Sequence, residues 1–353
     1  MQTENRFTVL KKASIRPNKI VFYNQFIPNE TVEKTSKKNL SAKEKEFLLS
    51  MGIPVRTTPI VNAHNFEISK KAATRIKEKV TWLYTMAKNK TVVVPGNQKQ
   101  FAFKINFITL SLPSTQRHKT SEITAICLNQ FLTECSQRFG LKNYVWRLEF
   151  QGNGNAHYHI ATDCYINYHA CRSIWNRCIE KLGYIYEYHK KFNKMTYNEY
   201  YNRYKNSKGA TPDVLLKRYQ KGCEENWLIP NTVDVKPVNN GKNIAFYISK
   251  YITKPSEHKL NSIVSSREDS STNLRLWFCS RSLSKLDKIS IFLDSCNDLA
   301  QQCFEGLKSI KTFVYDYTTV HYFNIKEQVT TTKQNFWLLF NHYASENNYI
   351  PHT

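Results

Sequence analysis

The chain has 353 residues, enough for one large domain with extensions or for two smaller ones. Its formal net charge of +23, from 51 basic and 28 acidic residues, favours a polyanionic partner and excludes the acidic, aromatic-poor profile of a disordered solvating chain. No apolar run approaches the length that spans a bilayer, and Met1–Arg6 lacks the apolar stretch of a signal peptide, so we expect a cytoplasmic protein with no membrane partner. Nine cysteines without a Cys-x-x-Cys pair read as reduced thiols rather than a disulfide frame.

Residues 1–66 are mixed and weakly periodic. Lys37 to Met51 offers a short charged helix stopped by Gly52, and Arg6, Lys11, Lys12, Arg16 and Lys19 make the start basic. A DNA-contacting arm and a loosely packed extension are both open readings. Lys70 to Lys88 reads as a helix capped by Ser69. Ala72, Ile76, Val80, Leu83 and Ala87 form its apolar side, and Lys70, Lys71, Arg75, Lys77 and Lys79 cover the rest. Lys104 to Leu112 is a nearly continuous apolar strand, suited to the middle of a sheet covered on both faces. Thr120 to Phe139 follows as a helix with Ile123, Ile126, Cys127, Phe131 and Cys135 inward.

Tyr144 to Gln151 and Ala156 to Ile160 read as the arms of a hairpin. Side chains alternate along a strand, so His157 and His159 project one way and Tyr158 the other. Register decides whether Glu149 joins them. A two-residue turn at Asn153-Gly154 sets Phe150 opposite His157 and sends Glu149 away. A three-residue loop centred on Asn153 or Gly154 sets Glu149 opposite His157 or His159, and such a loop needs a residue able to take φ > 0. Residues 152–155 are all Gly or Asn, so the odd-length loop is available. Two imidazoles and a carboxylate then make a three-ligand set for Mg2+ or Mn2+ with open positions, and Gln151 is the substitute third ligand.

Ala170 to Leu182 is a further amphipathic helix with Ile174, Trp175, Cys178 and Ile179 inward. Residues 184–226 then interleave tyrosines with lysines and arginines. Tyr197, Tyr200, Tyr201, Arg203, Tyr204 and Lys205 are the candidates for holding single-stranded DNA, by stacking and charge. Tyr197, Tyr201 and Tyr204 also sit at helical spacing, so internal packing is the competing reading. Asn231 to Val238 looks like another strand.

Tyr247 to Lys254 is read as a helix halted by Pro255. Tyr247, Lys250, Tyr251 and Lys254 share one face, while Ile244, Ile248 and Ile252 form a separate apolar row. A phenol with a pKa near 10 is a poor nucleophile at neutral pH. A neighbouring ammonium favours the phenolate, and a divalent cation stabilises charge on a phosphate. Two such phenols on successive turns let one hold a DNA end while the other attacks a second strand. Ser256 to Asn273 reads as a flexible connection, Leu274 to Leu286 as a strand, Asp294 to Ile310 and Lys333 to Ala344 as helices, and Phe313 to Ile325 as strand-like.

Three segments together carry a resemblance: Phe107 to Pro113, Glu149 with His157-Tyr158-His159, and Tyr247 to Lys254. In order and spacing the chain resembles the rolling-circle replication initiators of the HUH endonuclease superfamily, of the two-tyrosine type found in single-stranded DNA bacteriophages and some plasmids. The resemblance covers roughly residues 100–285, including Leu276 to Leu283. It implies an α+β fold in which an antiparallel sheet is packed by helices, as an RRM- or ferredoxin-like nickase core. It further implies a metal-dependent nickase and strand transferase, in which Tyr247 or Tyr251 leaves a 5′-phosphotyrosine and a priming 3′-hydroxyl at a single-stranded DNA origin. The expected boundaries are an extension over 1–95, the nickase over 96–286 with its insertion at 184–226, and a small subdomain over 287–353. No Gly-x-x-x-x-Gly-Lys-Ser/Thr loop occurs, so a separate helicase and polymerase of the host are the expected partners. The alternatives are a transposase or relaxase of the same superfamily, and a non-catalytic protein that binds single-stranded nucleic acid.

Overall fold

The computed structural model describes residues 7–16, 19–28, 68–93, 100–207, 209–238, 264, 274–286, 290–292, 298–324 and 328–346. In chain order the elements begin with strands β1 (Phe7–Arg16) and β2 (Lys19–Pro28). Helix α1 (Lys70–Met86) and strands β3 (Lys90–Val93), β4 (Gln100–Phe103) and β5 (Ile105–Leu110) follow. Helix α2 runs over 120–139 with a π-helical turn at Thr124–Leu128. Strands β6 (Tyr144–Phe150) and β7 (Ala156–Thr162) lead into α3 (Tyr168–Glu180), α4 (Tyr184–Phe192), α5 (Tyr197–Tyr204) and α6 (Pro212–Glu224). Then come β8 (Val233–Val238), β9 (Trp277–Cys279), α7 (Arg281–Lys285), β10 (Ser290–Phe292) and α8 (Asp298–Gly306). Strands β11 (Lys311–Tyr315) and β12 (Thr318–Tyr322) and helix α9 (Thr330–Glu346) end the chain's described part.

The fold is α+β, with antiparallel sheets packed by helices, and it divides into two compact units. The larger holds α1 to β9 around a five-stranded sheet ordered β8-β5-β7-β6-β9. Every pairing in that sheet is antiparallel, and β5 and β7 lie inside it. Its edges suit their sequences. Pro237, which cannot donate to a ladder, falls on edge strand β8, and the opposite edge is only three residues long. One face is apolar: Ile108, Leu110, Trp146, Leu148, Phe150, Tyr158 and Ile160 bury themselves against Ile123, Phe131, Ile174 and Trp175 of α2 and α3. The residues between them point to the other face. Among these are Thr109, Arg147, Glu149, His157 and His159, so alternation alone separates core from site.

The second unit has its own sheet, ordered β10-β1-β2-β12-β11, again antiparallel throughout. Ala13, Ile15 and Ile20 are buried in it, and Phe336, Leu339 and Phe340 of α9 are buried too. Residues 7–28 are therefore a hairpin, not a loose extension or arm. Their partners in the sheet come from the far end of the chain, which local patterning does not reveal. The compact units also group the chain differently from the expected boundaries at 95 and 286. Helix α1 clusters with the larger unit, and the N- and C-terminal strands share one unit.

Several local expectations hold. Ser69 caps α1, its hydroxyl accepting from the Ala72 N–H at 3.2 Å, and Ile76, Val80, Leu83 and Ala87 are buried. Lys79 departs from its expected solvated face: it is 3% exposed, and its ammonium donates to the carbonyls of Leu283 and Ser284 at 2.6 and 3.2 Å. A cation can be buried there because those main-chain carbonyls accept from it in place of water. Ile126 also departs, being 38% exposed. The π-turn inserts a residue into the helical phase and swings Ile126 outward while Leu128 turns in. Leu274 to Leu286 yields only the short β9 followed by α7, and Phe313 to Ile325 splits into two strands at a turn on Asp316-Tyr317. Residues 37–51 lie outside the described residues, and of 256–273 only the buried Val264 is described.

Candidate functional site

The β6–β7 hairpin closes through a three-residue loop centred on Asn153. Gln151 and Asn155 are its last bonded pair (N–H to carbonyl, 2.9 Å), and the Gly154 N–H returns to the Gln151 carbonyl at 2.7 Å. Gly154 takes φ +80°, the left-handed conformation this loop demands. The register that follows places Glu149 opposite His157 and Arg147 opposite His159. The odd-length loop is thus the one adopted, and the carboxylate shares a face with both imidazoles. Asn155, only 2% exposed, pins the loop: its side chain donates to the Ser114 carbonyl at 2.8 Å and accepts from the Gln116 N–H at 2.9 Å. Gln116 in turn accepts from the Ala156 N–H at 2.6 Å.

On that face the Glu149 carboxylate meets Nε2 of His159 at 3.0 Å, and the two imidazole rings lie 4.6 Å apart at 78°. The other His159 nitrogen, Nδ1, is 3.3 Å from the hydroxyl of Thr109, its partner in the β5–β7 register. These side chains line a cavity of about 570 Å3 with Gln151, Ser111, Asn231 and Asp234. Tyr158, between the histidines, points into the core, and its hydroxyl lies 2.8 Å from that of Thr124.

Arg147 stands on the same face and is 9% exposed. Its Nε and Nη1 find no hydrogen-bond partner among the described residues. Burial pulls the guanidinium below its ordinary basicity, and the Glu149 charge works in the opposite direction. Thr109, Ser111, Asn231, Asp234 and Arg147 are not among the site residues that the sequence nominates. Strand alternation is the signal that could have found them, since Thr109 and Ser111 alternate with the apolar Ile108 and Leu110 of the same segment.

A divalent cation is what the resemblance implies here. The donor types fit: two imidazoles, a carboxylate and the Gln151 amide converge on one cavity. Among the described residues, however, no group of three or more His, Cys, Asp or Glu side chains is arranged to hold a metal ion. The Glu149–His159 contact occupies two of those donors with each other.

Of the remaining predicted residues, Tyr247, Lys250, Tyr251 and Lys254 lie outside the described residues. In the insertion, Tyr200 is buried with Phe192, Leu215 and Trp227, and Tyr201 and Tyr204 pack against that cluster. Tyr197 donates to the Pro212 carbonyl at 3.2 Å. Arg203 and Lys205 are exposed. Much of the tyrosine pattern therefore builds the helical insertion itself.

Residues 105–256 match a family model described as Replication-associated protein, of the ORF2 type, a span that includes the histidine hairpin and the Tyr247 to Lys254 segment. The similarity indicates a role in replication initiation for that part of the chain. Searches of curated proteins and of solved structures find no match. Among the described residues no helix is long and apolar enough to cross a membrane.

Proposed function

We propose, from the replication-associated similarity, that this protein is a nicking-joining enzyme acting on a single-stranded DNA origin to start rolling-circle replication. The observation that carries the reading is the register of β6 on β7. It gathers Glu149, His157 and His159 on one face, over a cavity that Gln151 also lines. His157, His159 and Glu149, with Gln151 as the alternative, would hold Mg2+ or Mn2+, which supplies charge stabilisation at a phosphate. For Glu149 to serve, it must give up its contact with His159. The phenol of Tyr247 or Tyr251 attacks phosphorus and loses its proton as the P–O3′ bond breaks. A tyrosine–5′-phosphate bond forms, and the departing 3′-oxygen, protonated, primes synthesis. Attack of a 3′-hydroxyl on that adduct reverses the step and rejoins the strand. Lys250 and Lys254 steady the phosphate or favour the phenolate. Unwinding and synthesis then fall to a helicase and a polymerase of the host.

The test is a denaturant-resistant adduct between the full chain and an origin-like single-stranded oligonucleotide in Mn2+. Tyr247→Phe and Tyr251→Phe should each impair it and together abolish it. A full-strength adduct in the double variant ends the nucleophile assignment. A second reading, a non-catalytic single-strand binder, is favoured by the net charge of +23. It predicts salt-sensitive binding with no adduct from the unaltered chain.

A further inference from the structure

A second cavity of about 620 Å3 lies within the same unit, between the helices of the insertion and the end of β5. It shares Asn231 with the cavity under the histidine strand. The hydroxyl of Tyr168 donates to the Asn231 side-chain oxygen at 3.0 Å, so the two hollows adjoin across one residue. The volume suits one nucleotide, since small-ligand pockets run from about 300 to 1,000 Å3.

The lining is cationic and aromatic. Arg172, Lys191, Arg218 and Lys221 meet a single carboxylate, Glu225, which Lys221 already engages at 3.7 Å. Among the described residues no ion pair ties Arg172, Lys191 or Arg218. Burial, then the nearby Arg203 charge, lowers the basicity of Lys191, so the group gains from an anion beside it. Tyr168, Tyr188 and Tyr204 add half-buried aromatic rings, and the Arg172 guanidinium lies 5.1 Å from the Tyr168 ring centre.

The inner wall is strained and rigid. Trp227 is buried with φ +52°, and the preceding Asn226 has φ +49°. Bulky residues rarely take that conformation. The Trp227 ring lies so close over Gly222 that an added Cβ there would meet it at 2.4 Å. It also stacks on Phe192, centroids 4.9 Å apart at 20°. Cations without ion pairs thus surround a fixed aromatic floor instead of spreading over a solvated face.

We propose that this second cavity is a single-stranded DNA subsite. It takes a nucleotide flanking the phosphodiester bound under the histidine strand, with its phosphate met by Lys191, Arg172 and Arg218 and its base against the tyrosines. The inference rests on the nickase reading for the meaning of the first cavity, but its test needs neither metal nor cleavage. The Tyr247→Phe/Tyr251→Phe chain is titrated in EDTA with fluorescein-labelled dT20 at several salt concentrations, with and without Lys191→Ala/Arg218→Ala. Both lost cations lie on exposed helix positions, and circular dichroism checks the fold. We expect binding to weaken roughly 10-fold or more and the slope of log affinity against log salt to shrink by about 1.4, two phosphate contacts at about 0.7 each. Lys191→Arg/Arg218→Lys should restore most of both. An oligonucleotide carrying 5-iododeoxyuridine should photocrosslink to Tyr168, Tyr188 or Tyr204. Unchanged affinity and slope overturn the subsite. So does an equal loss of heparin binding without any crosslink at those tyrosines, which marks an unspecific anion patch. Absence of a covalent adduct in the separate Mn2+ assay counts against the nickase reading alone.

Discussion

Arg147 is the residue whose surroundings least resemble an ordinary interior. A guanidinium that leaves water without acceptors for two of its nitrogens loses hydration it does not recover. Replacing it with Met, of similar length, is therefore expected to leave stability unchanged or raise it by about 1–3 kcal/mol, with a higher Tm in thermal unfolding. A clear fall in Tm would mean that the guanidinium has a stabilising partner. Thr109 makes the opposite case. Its hydroxyl fixes the ring of His159 through Nδ1, and groups that orient a ligating histidine typically change metal affinity by about 10- to 100-fold. Thr109→Val should raise the Mn2+ concentration for half-maximal adduct by about 10-fold while the fold persists. An unchanged Mn2+ requirement would leave Thr109 a purely structural contact.

At the scale of the element, the β6–β7 hairpin depends on its loop. Gly154 at φ +80° makes the odd-length connection possible, and a side chain there incurs the left-handed penalty of about 1–2 kcal/mol. Gly154→Ala should lower the urea midpoint accordingly. It should reduce adduct formation more than the stability loss alone explains, because a one-residue slip would turn Glu149 to the opposite face. If adduct yield tracked stability alone, the register would not be under the control of that loop. The π-turn in α2 shows how an element's phase can mislead. A helical wheel points Ile126 inward, and one extra residue in the turn points it out.

For the larger unit as a whole, the buried thiols set an alkaline limit. Desolvation pushes Cys127 and Cys164 up to about 12 and Cys178 to about 11. In the unfolded chain a thiol ionises near 8.5. Folding therefore holds protons that the unfolded state releases, so this contribution is complete below about pH 8.5 and is lost as pH rises towards 11 to 12. Urea unfolding at pH 7, 9 and 10.5 should show a falling midpoint, and Cys178→Ala should flatten the fall; a flat profile in the unaltered chain would count against neutral buried thiols. At pH 8 a thiol reagent should modify Cys223, the exposed cysteine among those described, well before the buried ones.

Local patterning was enough to read the alternation along β5, β6 and β7, the capped helix at Ser69, the apolar stripes of α2 and α3, and a short menu of hairpin registers. These are quantities set by neighbours a few residues apart. Which register was taken, and hence the meeting of Glu149 with the histidines, was settled when Asn155 and Gln116 tied the loop to its neighbours across the fold, contacts 39 and 40 positions apart in the chain. Long-range packing also put Lys79 under the Leu283 and Ser284 carbonyls and joined the first hairpin to β12, because those partners come from distant parts of the chain and leave no periodic trace in either segment.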